Sequence, residues 1–319
     1  MENHTDVLIF HTAICAGASQ ISPDGSRKSE ICGAPSRKRS GMEIKMCTSF
    51  AVYHKEKAIY GMNFDTDDID LKLKIYSYND RNLFYFSAFV DNKYRDIAGF
   101  NSEGLFICTQ AVEYGPGFKS SCDQNDWFAF DIFEEALKKT RKSSEFFEIP
   151  NKRAISYPRN PLYPDLGLHT MIADITGDAF ILEEGNGTNI VNPIHNDFMV
   201  MTNFPNGNFK EANYNEVYGI GADRYICAYE YIHTHIHSFG INEAFEILSK
   251  TSQENTLSSI VYEPLKNEIY ISFKRDLSKR WKISVTEKTI QSMDGLLGNN
   301  KIQFTNEEIL VKDLVSLYS

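Results

Sequence analysis

Residues 46–53 read MCTSFAVY and residues 58–65 read AIYGMNFD, with the polar turn HKEK between them. Two runs of apolar and β-branched residues around such a turn predict a β-hairpin, and its first residue is Cys47. Asp65 ends the second strand where Cys47 begins the first, so the hairpin brings these two residues close together. If Cys47 is the first residue of the working chain, it carries both a thiol nucleophile and a free α-amine that can take the thiol proton.

The chemistry of this pair depends on proton transfer. A cysteine thiol has an ordinary pKa of about 8.5 and is mostly protonated at neutral pH, so catalysis needs a base or a cation beside it. An α-amine, with an ordinary pKa of about 7.7 to 8.0, is a competent base, and Asp65 could orient it by a hydrogen bond. The alternative interpretation is that Cys47 is a small buried hydrophobe and Asp65 a turn residue. The spacing alone leaves both interpretations open.

Residues 1–46 differ in composition from the rest of the chain. Residues 19–45 are rich in Pro, Gly, Ser and basic residues and have no apolar period, which predicts disorder. Three interpretations remain: a propeptide that is removed, a linker behind a small N-terminal element, or an extension upstream of a working start at Met42 or Met46. We favour removal or a later start, because a small residue such as Cys47 directly after Met46 suits removal of an initiator methionine.

Composition argues against several classes of function. The chain has 319 residues, of which 42% are hydrophobic, enough for one large core or two modest ones. Its net charge of −10 speaks against nucleic-acid binding, which needs a basic surface. The apolar stretch at residues 7–18 is too short and too interrupted to span a membrane, and acidic residues precede it where a signal peptide has basic ones. We therefore expect a protein that binds neither nucleic acid nor membranes.

The cysteines and histidines do not predict a metal site. The six cysteines show neither the paired spacing of a metal site nor the density of a disulfide scaffold. His233, His235 and His237 alternate near the end of a predicted helix, where alternate residues do not share a face. No metal or cofactor is predicted, and a reducing cytoplasm is the expected location.

Hydrophobic periodicity predicts an alternation of strands and helices after the hairpin. Residues 99–104 are predicted as a turn. The predicted strands are 71–78, 83–90, 105–112, 169–174, 179–184, 198–202, 258–263, 268–273 and 281–286, and the predicted helices are about 126–142, 222–235 and 242–251. This order favours two packed sheets covered by helices.

Four motifs occur in the chain in a fixed order: Met46-Cys47-Thr48, Gly61-x-Asn63-x-Asp65, His169-x-Met171-Ile172-x-Asp174-Ile175-Thr176-Gly177 and Thr202-Asn203-x-Pro205. Together they resemble the choloylglycine hydrolase and penicillin V acylase family, cysteine members of the N-terminal nucleophile hydrolases. The resemblance runs from residue 47 to about residue 273.

This resemblance implies an α+β protein with the four-layer αββα N-terminal nucleophile hydrolase fold, in which two mainly antiparallel sheets are sandwiched between helices. It implies one such domain at residues 47–319, behind an extension at 1–46 that the mature enzyme lacks. It also implies hydrolysis of the linear C–N bond of a small N-acyl amide, and a homo-oligomer, with a tetramer favoured.

The resemblance further implies roles for individual residues. Cys47 matches the nucleophile and Asp65 the carboxylate near its amine. Asn203 matches an asparagine whose side chain helps to form the oxyanion hole, a role that suits an amide N–H because it donates without titrating. Arg224 matches an arginine that would lower the thiol pKa and stabilise charge. The alternatives are that Asn203 is only a turn former and Arg224 only a surface residue of a helix.

The second oxyanion donor aligns at Gln110 or Ala111. Gln110 could donate through its side chain, whereas Ala111 could donate only through its backbone. We favour Gln110.

One residue departs from the family pattern. Met62 stands where the family has an arginine, and methionine neither donates hydrogen bonds nor holds charge. An alternative role for Met62 is to line an apolar acyl pocket. Two rival functions therefore accompany the amidase prediction: an acyltransferase, in which an amine intercepts the thioester, and a non-catalytic protein that binds an acyl ligand.

Overall fold

The structure is a computed structural model, and it describes residues 47–66, 68–90, 92–114, 127–128, 131–147, 155–156, 166–185, 189–293, 295–296, 298–304 and 308–318. All of these residues belong to one unit, Ala34–Ser319. The predicted extension at residues 1–46 lies outside the described residues. The prediction of a single domain at 47–319 stays a prediction.

Strands dominate the described part of the chain. The strands are β1 (Thr48–His54), β2 (Lys57–Asp65), β3 (Leu71–Tyr78), β4 (Arg81–Val90), β5 (Lys93–Asn101), β6 (Phe106–Glu113), β7 (Trp127–Phe128), β8 (Ile155–Ser156), β9 (Leu166–Ala173), β10 (Ala179–Glu184), β11 (Asn189–Pro193), β12 (Phe198–Met201), β13 (Thr256–Glu263), β14 (Glu268–Phe273), β15 (Trp281–Ser284), β16 (Thr289–Ser292), β17 (Lys301–Gln303) and β18 (Glu308–Leu310). The α-helices are α1 (Ile132–Lys139), α2 (Ser143–Phe147), α3 (Ala222–His235), α4 (Ile241–Lys250) and α5 (Val311–Val315).

Two large antiparallel sheets organise these strands. Sheet A has the order β12-β1-β2-β13-β14-β15-β16-β17, and sheet B has the order β11-β10-β9-β6-β5-β4-β3-β18. The predicted hairpin is β1 with β2, paired from Thr48↔Asn63 to His54↔Lys57. Strands β7 and β8 form a short parallel pair. The prediction of two mainly antiparallel sheets is confirmed.

Three buried apolar clusters separate the layers of the fold. The largest lies between the two sheets and contains Tyr60 and Met62 of β2 together with Phe86 of β4. A second packs sheet B against α1 and α2, and a third packs sheet A against α3 and α4; their members include Tyr85, Phe133 and Phe146 in the second, and Phe50, Ile232 and Phe245 in the third. The layers therefore follow the predicted αββα order, with the central strands of each sheet packed on both faces.

Strand alternation sets the direction of each side chain in the hairpin. Phe50 and Val52 belong to the cluster on the helical side of sheet A, whereas Cys47 and Ala51 belong to the cluster between the sheets. Phe50 closes over Gly61 of the paired strand, where a Cβ atom would lie 2.3 Å from the phenyl ring. The glycine before Met62 is thus a packing requirement of the hairpin.

Two predicted elements have the wrong bounds. The turn predicted at residues 99–104 begins only after Asn101, because Gly99 and Phe100 continue β5 and pair with Ile107 and Phe106 of β6. The helix predicted at about 126–142 begins later, because Trp127 and Phe128 form strand β7 and α1 starts at Ile132. It also ends earlier, at Lys139, since Thr140 is extended (φ −115°, ψ 150°) and a second short helix follows it. Residues 126, 129 and 130 of that prediction lie outside the described part of the chain.

The structure also contains strands that the periodicity did not predict. They are β5, the short pair β7 and β8, β11, and the short strands β16 to β18. Of these, β11 and β18 lie at the edges of sheet B, and β16 and β17 extend sheet A to one of its edges. None of the described helices combines the length and apolar composition needed to cross a membrane.

Candidate active site

The start of β1 places Cys47 against the end of β2. Cys47 is buried, with 5% of its surface exposed, and its thiol makes a hydrogen bond with the backbone of Asp65. The antiparallel register that pairs Thr48 with Asn63 brings about this contact. The hairpin therefore joins the two residues in the way that the sequence predicts.

Asp65 is held by two residues that precede or begin β13. Its Oδ1 accepts a hydrogen bond of 2.6 Å from Thr256 Oγ1, and its Oδ2 accepts one of 3.0 Å from Gln253 Nε2. Burial raises the pKa of the Asp65 carboxyl to about 6, although these hydrogen bonds and the charge of Arg224 act in the opposite direction. Asp65 is therefore largely ionised at neutral pH and titrates just below it.

Arg224, in the first turn of α3, lies at the centre of the site. Only 6% of its surface is exposed. Its Nη1 donates to the carbonyl oxygen of Cys47 and, at 2.7 Å, to Thr48 Oγ1, while its Nη2 donates at 2.7 Å to Asn203 Oδ1. A guanidinium suits this position because its planar donors can serve several acceptors at once. Arg224 is therefore buried inside the protein and is not a solvent-exposed residue of the helix.

The residue before α3 makes room for the guanidinium. Gly221 caps the helix with a left-handed backbone, φ 80°. A Cβ atom there would lie 2.3 Å from Arg224 Nη2. A side chain at this position would meet both a strained backbone and the buried guanidinium.

Asn203 lies two residues after the end of β12 and beside the strand β6 of the other sheet. Its Nδ2 donates at 2.7 Å to the carbonyl oxygen of Ala111, and its own carbonyl oxygen accepts from the Glu113 N–H at 2.7 Å. The register that pairs Ser49 with Met201 sets the end of β12 beside the start of β1. Asn203 is thus connected to sheet B and, through Arg224, to Cys47.

Gln110 of β6 approaches the same strand end. Its Oε1 accepts a hydrogen bond of 3.1 Å from Ser49 Oγ, and its Nε2 donates to the carbonyl oxygen of Thr202. A primary amide has two N–H groups, so Gln110 and Asn203 each use one in these bonds. The role of either amide as an oxyanion donor stays a prediction.

The electrostatics of the site keep the thiol protonated. Burial, and then the negative charge of Asp65, raises the pKa of the Cys47 thiol to about 12; the charge of Arg224 lowers it but does not compensate. Arg224 therefore lowers the pKa of the thiol, as predicted, but burial and the charge of Asp65 raise it by more. A thiolate here requires a base close to the sulfur.

Met62 lies in the core and does not reach the surface. It is completely buried in the cluster between the sheets, and it pairs with Ser49 on one side and Ile260 on the other. Its neighbour Asn63 donates to the carbonyl oxygen of Leu248, at 2.8 Å, and accepts from Ser259 Oγ, which ties β2 to α4 and β13. In this chain, Met62 has the surroundings of a packing residue.

The contacts made by Thr48, Gln253 and Thr256 were not predicted from the sequence. Thr48 is adjacent to Cys47, which is a usable signal, whereas the other two come from a segment that is distant in sequence. The histidines 233, 235 and 237 are not part of the site: His235 Nδ1 contacts the carbonyl oxygen of Tyr231, and the His237 ring packs against His54. Within the described ranges, no group of three or more His, Cys, Asp or Glu residues could hold a metal ion.

Solved structures share the architecture described above. A cysteine-to-alanine mutant of conjugated bile acid hydrolase from Clostridium perfringens matches with a TM-score of 0.55 and 14% identity, over 82% of this chain and 93% of that one. Penicillin V acylase from Agrobacterium tumefaciens matches with a TM-score of 0.57 and 16% identity, over 80% of this chain and 93% of that one. The chain has the N-terminal nucleophile hydrolase fold. The resemblance predicted from the motifs is confirmed as a likeness of fold to these enzymes.

Comparison by sequence gives a different result. No protein-family model and no curated protein matches the chain.

Proposed function

We propose that the protein hydrolyses the linear C–N bond of a small N-acyl amide, with Cys47 as the nucleophile and its α-amine as the base. The observation that carries this proposal is the set of hydrogen bonds through which Arg224 links the Cys47 carbonyl oxygen to the Asn203 side chain, beside the buried Asp65. The two enzymes of similar fold, named as a bile acid hydrolase and a penicillin acylase, support the same reaction class.

The first half-reaction forms a thioester. The free α-amine of Cys47 takes the thiol proton, and the thiolate attacks the acyl carbon. The developing oxyanion accepts hydrogen bonds from the unused N–H groups of Asn203 and Gln110. The C–N bond then breaks, and the leaving amine takes a proton from the α-ammonium.

The second half-reaction restores the enzyme. The α-amine, now neutral, accepts a proton from a water molecule that attacks the thioester carbon, and the acid leaves as the sulfur regains its proton. Ionised Asp65 stabilises the ammonium form of the amine in both halves. No cofactor takes part in this scheme.

The mechanism requires a free amine at Cys47. While residue 46 is attached, the Cys47 nitrogen is an amide and is not basic. We therefore propose that residues 1–46 are absent from the active enzyme, either by processing or by a later start. A high thiol pKa in the chain that retains them is the state expected of an inactive precursor.

The test compares two forms of the protein. One begins at Cys47 and the other retains residues 1–46, and both are incubated with a panel of acyl amides and with an acyl β-lactone. We expect hydrolysis and a covalent adduct on Cys47 only in the first form, with Cys47→Ala as the control that forms neither. A folded protein beginning at Cys47 that forms no adduct, or an active enzyme whose intact mass includes Met1, contradicts the proposal.

An acyltransferase would share every step up to the thioester. Product analysis with and without a competing amine separates the two reactions, because only an acyltransferase converts the amine into a new amide at the expense of the acid.

A non-catalytic acyl-binding protein is the second candidate, and Met62 favours it. The side chain that replaces the family arginine is buried in the core and offers neither charge nor a hydrogen-bond donor. Binding of an acyl ligand without adduct formation, unchanged in Cys47→Ala, would support this candidate.

We also propose that the enzyme works in the cytoplasm as a homo-oligomer, a tetramer by resemblance. Cys47 and Cys108 form no disulfide bond within the described part of the chain, which suits a reducing compartment. Cell fractionation and light scattering of the purified protein test the two statements.

A further inference from the structure

Three buried polar side chains lie side by side across adjacent strands of sheet B. Gln110 of β6 is paired with His169 of β9, and His169 is paired with Glu183 of β10. His169 and Glu183 are each only 1% exposed. The mechanism proposed above uses Gln110 but neither of the other two.

The row faces the space between the sheets. Residues two positions away on the same three strands belong to the inter-sheet cluster, and alternate residues of a strand share a face. These residues are Cys108, Met171 and Ile181. Glu183 therefore lies on the same side of sheet B as the start of β1 and the end of β12.

Glu183 is a buried carboxylate with four hydrogen-bond donors around it. Its Oε1 accepts from the Asn206 N–H at 2.7 Å and lies 3.3 Å from His169 Nδ1. Its Oε2 accepts from the Gly207 N–H at 2.9 Å and from Asn192 Nδ2 at 2.9 Å. Such a set of donors compensates the cost of burying the charge.

Two of those donors belong to the turn that carries Asn203. Glu183 holds this turn at Asn206 and Gly207, three and four residues after Asn203. On the other side, Gln110 Nε2 donates to the carbonyl oxygen of Thr202, the residue before Asn203. Side chains of sheet B thus fix the backbone on both sides of Asn203.

His169 fixes the direction of the carboxylate. With Nδ1 protonated, the ring donates to Glu183 Oε1, and the same arrangement leaves Nε2 as a buried nitrogen without a hydrogen-bond partner in the described part of the protein. A buried nitrogen without a partner is costly, so its retention needs a compensating role.

We propose that Glu183, oriented by His169, is a positioning residue that holds the Asn203 amide where the oxyanion forms. This inference rests on the proposed amidase function. Glu183 acts through the turn and does not touch the substrate.

The test uses Glu183→Gln in the active enzyme. The amide keeps the shape of the side chain but replaces one acceptor oxygen by an NH₂ donor, which faces N–H groups that donate to the carboxylate in the wild type. We expect kcat to fall about 10- to 100-fold with KM within about threefold, because oxyanion contacts form in the transition state. In an Asn203→Ala background the same substitution should cost less than about threefold, since the group that it positions is gone.

Asp174→Asn is the matched control. Asp174 is another fully buried carboxylate that accepts backbone N–H groups, from Ser143 at 2.6 Å and Thr176 at 2.7 Å, at the opposite end of the β9–β10 hairpin. The Asp174→Asn substitution should lower the melting temperature without changing kcat. Two outcomes would overturn the proposal. One is a loss of kcat in Asp174→Asn as large as that in Glu183→Gln, and the other is a loss from Glu183→Gln that is the same in the wild type and in Asn203→Ala.

A second measurement does not depend on activity. If the wild-type enzyme forms no acyl adduct, the amidase proposal fails, and the ¹⁵N NMR signal of the Asn203 side-chain amide still decides the positioning role. A shift of that signal in Glu183→Gln but not in Asp174→Asn supports it, and an unchanged signal in both variants overturns it.

Discussion

The proposed nucleophile end of the candidate site, Cys47 with Asp65, comes from one hairpin. The proposed oxyanion end combines Asn203, just after β12 of sheet A, with Gln110 in β6 of sheet B. The first end depends on local pairing between β1 and β2. The second depends on the Asn203 bond to Ala111 and the Gln110 bond to Thr202, each of which joins residues 92 positions apart. Among the described residues, Arg224 is the one side chain that bonds to residues of both ends.

This difference predicts how substitutions at each end would reduce activity. A change in the hairpin alters the reacting groups themselves, while a change at the oxyanion end alters how well two sheets hold one amide in place. The predictions below separate these effects, beginning with the nucleophile.

Cys47→Ala should have the largest effect on activity. Removal of the only sulfur in the proposed mechanism leaves no route to a thioester, so we expect kcat to fall by at least about 10⁴-fold. Hydrolysis of the best acyl amide from the panel measures this. Cys47→Ser is the matched variant, because it keeps a weaker nucleophile, and a residual activity equal to that of wild type in either variant would exclude Cys47 as the nucleophile.

Asn203→Ala should have the next largest effect. Loss of one oxyanion donor typically lowers kcat about 10²- to 10³-fold with little change in KM. Steady-state kinetics of the enzyme beginning at Cys47 provide both parameters. A rise in KM with unchanged kcat would instead make Asn203 a substrate-binding residue.

The two ends also differ in how far the sequence predicts them. The hairpin follows from two apolar, β-rich runs around a short polar turn in residues 46–65, and its register follows from that turn, so Cys47 and Asp65 could be paired by inspection. The buried position of Arg224 could not, because α3 has an apolar face on which a charged residue is unexpected. Its burial depends on acceptors from two other segments, Cys47 with Thr48 and Asn203.

The partners of Asp65 illustrate the same limit. Thr256 is paired with Asp65 only because β13 joins β2 in sheet A, a pairing between segments separated by most of the described chain. Local periodicity contains no information about such pairings. Glu183 is a similar case, since its proposed role depends on how β10 faces the turn after β12.

Asp65→Asn should change the pH profile more than the maximal rate. The pKa of Asp65 is about 6 while Cys47 is part of a peptide bond, and the added charge of a free α-ammonium lowers it. We therefore expect kcat/KM of the active enzyme to fall below a midpoint at or under pH 6, as Asp65 gains a proton. The Asp65→Asn variant should not show this fall at acidic pH. At neutral pH its kcat/KM should be about 10-fold lower than that of the wild type.

Stability provides the control for this assignment. The pKa of folded Asp65 lies above its ordinary value of 3.8. Its contribution to stability is therefore fully present below about pH 3.8 and is lost as the pH rises through about 6. In the chain that retains residues 1–46, the free energy of unfolding of the wild type relative to Asp65→Asn should therefore decrease by ~3 kcal/mol as the pH rises across this window. Denaturant unfolding at several pH values measures it. A difference that does not vary with pH would show that another group produces the acid limb.

Met62→Leu should have the smallest effect, and it tests whether the nucleophile end includes an acyl pocket. Met62 is fully buried between the sheets, so a substitution of similar volume should cost less than about 1.5 kcal/mol and leave kcat/KM within about twofold for every acyl amide. Unfolding curves and the substrate panel measure the two quantities. If Met62 lined an acyl pocket, the order of preference among acyl chains would change while stability did not. That outcome would mean that a residue of the hairpin, beside Cys47, selects the acyl chain. The oxyanion end would then only bind the oxyanion.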